Sequence, residues 1–383
     1  MKDKQNAPLV YLDNAATTFP KPSRVYDEIN RCMTEYCGNP GRSSHPLAAA
    51  ADEAVFDARV EAAGLFGVSD PSNIIFTHNA TDAINKTLRG VMRGGERLVM
   101  SNIEHNSVYR AVTNLCSRLH SSFDFFNAGG TDDELIYDLE TKLRSGADIV
   151  ICLHASNICS RVLPIERIGE LCRRYGALFI LDASQSAGTY DIDMRRNGVS
   201  VLCAPGHKGL YGPQGTGLCV FCDGFDFDRL SPCVFGGNGT RSADVEMGRE
   251  PPESYEAGTV NVPGIAGLGE GIRFVKRLGG RRILMHERRL FARARTQLQR
   301  LGAEIYLPEC EGGVMLFNFA DITASALSEK LGESNVCTRA GLHCAPLAHK
   351  TFSTGGDAVR ISFSAFNTDD DIDRFIEVLR AAI

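Results

Sequence analysis

Six short apolar runs, three of them followed by a segment of helical periodicity, constrain this chain more than any other feature. NIIFT leads into a helical pattern over residues 82–92, RLVMS into one over 107–119 and ADIVICLH into one over 165–175. ALFILDA comes next, and SVLCA and TGLCVF then flank a loop. Short strands without polar alternation are buried on both faces, and strands alternating with helices build a mostly parallel sheet with crossover helices. The expected class is therefore α/β. At 383 residues the chain exceeds one small core. EIYL, GGVMLFNF, NVCTR and AVRISF accordingly read as strands of a second, smaller α+β domain.

The remaining segments complete this plan. Helical spacing covers about 24–36 and 47–65, with the turn formers CGNPGRSSHP between them. The Gly-rich stretch 235–264 reads as a hinge or linker, and a long helical region follows to about Leu301. A last helix starts near Thr368, which can cap it, and Asp369–Asp371 suit its positive end. The division that follows is 1–23 as an irregular segment packing with the small domain, 24–262 as the large domain and 263–383 as the small one.

Composition excludes several classes. The formal charge of −6 lacks the basic footprint of a nucleic-acid binder. No apolar stretch approaches the ~20 residues of a membrane span, and the N-terminus lacks the apolar core of a signal peptide. Thirteen cysteines without such a leader point to a reducing cytoplasm rather than to disulfides. Cys219 and Cys222 have CxxC spacing but lie in an apolar run, where they read as small buried residues.

The chemistry sits at strand ends, where open α/β sheets place ligands. Asp182 ends ALFILD, and Lys208 follows SVLCA by a few residues. An amine that bonds an aldehyde, beside a carboxylate that keeps a pyridine nitrogen protonated, suits pyridoxal phosphate. Ala80 and Thr81 open a helix after NIIFT, where free amides can bind phosphate. Taken alone, Asn79 and Thr81 would equally serve as helix caps. His105 can stack on a cofactor ring and move protons near neutrality. Asn157 and Gln185 offer amides to a ring oxygen. Arg360 puts a charge inside AVRISF, either for a substrate carboxylate or as a solvated edge residue. Cys344 lies in a mobile, polar loop near Arg339 and two histidines that can favour the thiolate. A metal site of Cys344, His343 and His349 lacks a fourth ligand.

These motifs together resemble the class V aminotransferase-fold enzymes, and among them the cysteine desulfurase and selenocysteine lyase-like branch. The resemblance runs through YLDNAATT, HNATDAIN, IEHNS, HASN, LDASQSAG, GHKGLYGPQGTG, YEAGTVN, RAGLHCAP and VRISFSAFNT. It implies the aspartate aminotransferase-like fold of pyridoxal phosphate enzymes, with a seven-stranded, mostly parallel sheet. Lys208 would hold the cofactor covalently and Asp182 its ring nitrogen, with His105 stacked on the ring. Gln185 and Asn157 would hold the ring oxygen. The phosphate would lie on Ala80, Thr81 and His207, with Thr259 reaching in from the partner of a homodimer. Arg360, Asn14, Ala15 and Arg339 would bind L-cysteine or L-selenocysteine, and Cys344 would take the sulfur and pass it to an acceptor protein. The implied product is L-alanine. The alternatives are a selenocysteine lyase, another class V aminotransferase or lyase, or a non-catalytic partner protein with this fold. Pro205, Ala80 and Ile158-Cys159-Ser160-Arg161 depart from the family pattern.

Overall fold

The computed structural model describes residues 8–41, 44–239, 243–309 and 312–383. Its strands are β1 (Val10–Tyr11), β2 (Ile74–Thr77), β3 (Arg97–Ser101), β4 (Ser122–Phe126), β5 (Ile149–Leu153), β6 (Leu178–Asp182), β7 (Val201–Pro205), β8 (Gly217–Phe221), β9 (Glu304–Tyr306), β10 (Val314–Asn318), β11 (Val336–Cys337), β12 (Arg339–Gly341) and β13 (Ala358–Ser362). Its helices are α1 (Ser23–Arg31), α2 (Pro46–Phe66), α3 (Ala80–Val91), α4 (Asn106–Leu119), α5 (Asp132–Arg144), α6 (Ile165–Tyr175), α7 (Met194–Asn197), α8 (Val262–Leu278), α9 (Gly280–Arg300), α10 (Ala324–Gly332), α11 (Pro346–Thr351) and α12 (Asp369–Ala382).

Seven strands form one sheet in the order β2-β8-β7-β6-β5-β3-β4, and β8 alone among them runs against the others. β5, β6, β7 and β8 are buried at every position. Their side chains alternate between two cores, as the two-residue period of a strand requires. Val150, Cys152, Phe179, Leu181 and Leu202 pack with α2, α5, α6 and α8. Ile149, Ile151, Ile180, Val201 and Cys203 pack on the other face with α3 and α4. Parallel pairing puts the carboxyl ends of β2, β3, β5, β6 and β7 along one edge, which is the geometry the site needs.

A four-stranded antiparallel sheet, β12-β13-β10-β9, lies under α9, α10 and α12. β1 pairs in parallel with β11, Val10 opposite Val336, and Ser362 N donates to Leu12 O at 2.7 Å. The chain before α1 is thus tied to this second sheet, with a short strand where an irregular segment was expected. Helix α8 packs on α1 and α2 in the first core, whereas the second core takes up in α9 at Leu290.

Four further differences have local causes. β4 and α5 were not anticipated, because SFDFF carries Asp124 at its centre and is only half-buried at an edge. The long helical region is two helices broken at Gly279, which takes φ 87°. NVCTR splits into β11 and β12, which pair with different partners. The pattern over 24–36 is α-helical to Arg31 and continues as a π turn over Cys32–Tyr36. Among the described residues no helix is long and apolar enough to cross a membrane.

One buried ion pair anchors the Gly-rich stretch 235–264. The Arg59 guanidinium meets the Glu256 carboxylate, and both side chains are over nine-tenths buried. Glu256 Oε1 also accepts from Phe76 N at 2.5 Å, and Arg59 donates to Ile74 O, so both ends of the pair grip β2. Removing one partner strands the other charge, which costs about 3–5 kcal/mol. Arg59→Ala should therefore lower the free energy of unfolding by about that amount in urea titrations, well beyond the effect of the exposed control Arg281→Ala.

Candidate active site

Eight of the residues singled out in the sequence line one cleft: Ala80, Thr81, His105, Asn157, Asp182, Gln185, His207 and Lys208. The cleft is a small open cavity of about 100 Å³. Asp182 closes β6, and its Oδ1 accepts from Ser184 N at 2.9 Å and from the Ser184 hydroxyl. Lys208 lies in the turn between β7 and β8. Its carbonyl is held by Tyr211 N at 2.8 Å and Thr18 Oγ1 at 3.1 Å.

The electrostatics favour free bases. Burial lowers the Lys208 amine to about 8; Arg360 and Arg339 push the same way, and Asp182 opposes them. Burial also takes His105 to about 4, and Lys208, Arg339 and Arg360 add to the effect. His105 Nδ1 accepts from Ser107 N at 3.1 Å, which fixes the neutral ring with its proton on Nε2. The ring therefore stays uncharged near neutrality, where an ordinary imidazole titrates. His207 is likewise taken to about 4, mainly by burial.

The far end of the cleft suits an anion. Asn79 caps α3 by accepting from Asp82 N at 2.9 Å, so its side chain is spent on the cap. The first-turn amides of Ala80 and Thr81 have no acceptor inside the helix. β8 passes close by at Gly217, where a Cβ would lie 2.7 Å from Asn79 C. His207 Nδ1 and Asn157 Oδ1 are buried without hydrogen-bond partners. An aldehyde-reactive amine, a carboxylate, a neutral imidazole, orphaned polar atoms and a helix N-terminus together fit pyridoxal phosphate. Pro205 lines the cleft without a donor to offer.

Arg360 and Cys344 stand beside the cleft rather than in its lining. Arg360 is 1% exposed on β13; its Nη2 binds Asp13 Oδ1 at 2.6 Å and its Nη1 donates to Asn157 O at 3.2 Å. The solvated-edge reading is therefore excluded, and Nε remains buried and unpaired. Arg339 sits directly opposite Arg360 on β12. Cys344 is exposed in the turn between β12 and α11. That turn is pinned, not loose as expected: Asn106 N donates to Cys344 O at 2.8 Å, and Asn157 Nδ2 to His343 O at 2.8 Å. His343 and His349 are buried with near-parallel rings 5.8 Å apart, and the described residues hold no metal-binding cluster.

The remaining expectations divide. Asn14 and Ala15 line an adjoining cleft that shares Lys208 and Gln185. The Asn14 amide is spent on Ser362 O at 2.9 Å and Asn367 Oδ1 at 3.1 Å, and Ala15 N on Ser362 Oγ. They build the wall and offer a substrate little. Gln185 Nε2 donates to Ala15 O at 3.1 Å. Thr259 is exposed and outside the lining of this chain's cleft. In the atypical segment after HASN, Ile158 and Cys159 are core residues and Arg161 pairs with Asp132 at 2.7 Å. Ser160 Oγ bridges to Val314 O at 3.0 Å.

Sequence reasoning passed over Asp13 and Glu104. Glu104 is fully buried: its Oε1 accepts from Leu153 N at 3.0 Å and from the Ser101 hydroxyl, joining the ends of β5 and β3. Burial, with Asp182 nearby, raises its carboxyl to about 8. The only signal was an acid in IEHNS immediately before His105.

The sequence matches the family described as aminotransferase class-V over residues 10–375. It is 32% identical over 379 residues to a probable cysteine desulfurase of Methanothermobacter thermautotrophicus, covering 97% of this chain and 94% of that one. It is 30% identical over 386 residues to another from Pyrococcus abyssi, covering 98% and 94%. The apo cysteine desulfurase of Thermococcus onnurineus NA1 superposes with a TM-score of 0.89 at 28% identity, covering 99% of this chain and 97% of that one.

Glu104 generates a pH prediction. The folded chain holds a proton that the unfolded chain releases above about 4.5, so its contribution to stability is complete below that pH and is lost as pH rises through about 8. Glu104→Gln should flatten the stability profile between these values, as followed by urea midpoints at successive pH.

Proposed function

The chain belongs to the class V aminotransferases and is a cysteine desulfurase, and from that premise we propose how its residues carry the reaction. Pyridoxal phosphate, when bound, supplies an electron sink for the substrate α-carbon. Asp182 would keep the ring nitrogen protonated, and His105 would cover the ring as an uncharged plane. Ala80, Thr81 and His207 would take the phosphate, with Thr259 contributed by a second copy of the chain.

Lys208 is suited both to bond the aldehyde and to remove the proton on the substrate α-carbon. Each task needs the free amine, and a value near 8 leaves far more of it at neutral pH than an ordinary lysine has. Arg360, already oriented by Asp13, would bind the substrate carboxylate through its unpaired edge. Cys344 then attacks the substrate sulfur. A sulfur–sulfur bond forms as the substrate Cβ–Sγ bond breaks, the released electron pair takes a proton at Cβ, and return of the Cα proton from Lys208 completes alanine. Cys344 is left as a persulfide, exposed for transfer to an acceptor protein. L-selenocysteine would follow the same course.

The observation that carries this reading is the placement of Lys208 and Asp182 in one cleft, with the exposed Cys344 turn tied to Asn157 of its lining and to Asn106, the residue between the lining residues His105 and Ser107. Lys208→Ala should lose the cofactor's absorbance band. Cys344→Ser should keep that band, while alanine formation from L-cysteine falls roughly a thousandfold or more. A serine variant that desulfurates at the wild-type rate would refute the assignment. Arg360→Ala should raise KM for cysteine by about ten- to a hundredfold, the cost of a lost charged hydrogen-bond pair.

A further inference from the structure

We propose that Asn157 is the positioning residue for the nucleophile turn, holding Cys344 in fixed relation to the cofactor ring; this role rests on the desulfurase reading. Three groups of one residue meet three parts of the site. Nδ2 donates to His343 O at 2.8 Å, next to the nucleophile. The carbonyl accepts from Arg360 Nη1 at 3.2 Å, on the substrate side. The side chain lines the cofactor cleft, where Oδ1 is buried and unpartnered.

The turn needs such a tie. His343 and Cys344 take φ of 51° and 55°, left-handed values that side-chain-bearing residues adopt only when their surroundings impose them. The His343 ring adds only a local bond, Nε2 to Arg339 O at 3.3 Å four residues back on the same segment, and its Nδ1 has no partner, so it does not tie the turn to the cofactor cleft. The second tie, Asn106 N to Cys344 O, comes from the residue after His105. One restraint thus comes from Asn157 in the cleft lining and the other from Asn106, between the lining residues His105 and Ser107. An amide nitrogen carries two hydrogens. One goes to His343 O, and the other is left for the ring oxygen, so a single amide joins the nucleophile turn to the cofactor.

Hydrogen–deuterium exchange of the cofactor-free protein tests this without reading activity. Ala345 N donates to Leu342 O at 2.9 Å across the turn, so its exchange reports opening. Asn157→Ala and the isosteric Asn157→Asp should each speed exchange at Ala345 by about fivefold, the effect of losing one ordinary hydrogen bond. Exchange in β6 should not change. Adding pyridoxal phosphate should slow Ala345 in the wild type and not in Asn157→Ala. Unchanged exchange at Ala345, equal acceleration in β6, or a wild-type turn indifferent to the cofactor would each overturn the role. A wild type that makes alanine while its turn ignores Asn157 would sink this inference alone. A turn that obeys Asn157 in a protein making no alanine would sink the desulfurase reading instead.

Discussion

Everything at the site depends on the parallel register of β5, β6 and β7, which sets Leu153 opposite Asp182 and Asp182 opposite Cys203. A strand's side chains alternate in direction, so a slip of one residue would turn Asp182 out of the cleft and disrupt both cores at once. The alternating burial of Phe179, Ile180 and Leu181 into opposite cores is what forbids that slip. Packing on two faces thus does the work of holding one carboxylate in place. Glu104 closes the same edge from β3 with a hydrogen bond to Leu153 N.

The site also gathers charge that burial would otherwise disfavour. Arg339 and Arg360 lie close enough to depress Lys208, and together with Lys208 they depress His105. Two carboxylates, Asp182 and Asp13, temper that field. Asp13 comes from the segment before α1, which the Ser362 N–Leu12 O hydrogen bond ties to the second sheet. That arrangement gives an otherwise slight N-terminal strand a purpose: it delivers the counter-charge that keeps Arg360 oriented. The two sheets then meet through short polar links, Asn157 to His343, Arg360 to Asn157 and Ser160 to Val314.

Much of this was legible in the sequence for a physical reason. Doubly buried strands leave uninterrupted apolar runs, and their ends mark where a ligand can sit, so Asp182, Lys208, His105 and Asn157 announced themselves. β4 did not, because an edge strand may carry Asp124 and still pair. Asp13 and Glu104 were passed over because an acid's role depends on what burial puts beside it, and spacing along a chain does not carry that. The same limit applies to Cys344. Its sequence neighbours suggested a mobile loop, whereas two long-range hydrogen bonds, from Asn106 and Asn157, pin the turn.

The most direct measurement is a single-turnover reaction of the wild-type chain, loaded with pyridoxal phosphate, with L-cysteine in the absence of reductant. Peptide mass spectrometry then locates the sulfur while alanine is assayed in the same sample. One added sulfur atom on the peptide bearing Cys344, with an equal amount of alanine, is the expected result. Alanine formed with Cys344 unmodified, or sulfur gained on a different cysteine, would contradict the assignment of Cys344 as the residue that takes the sulfur.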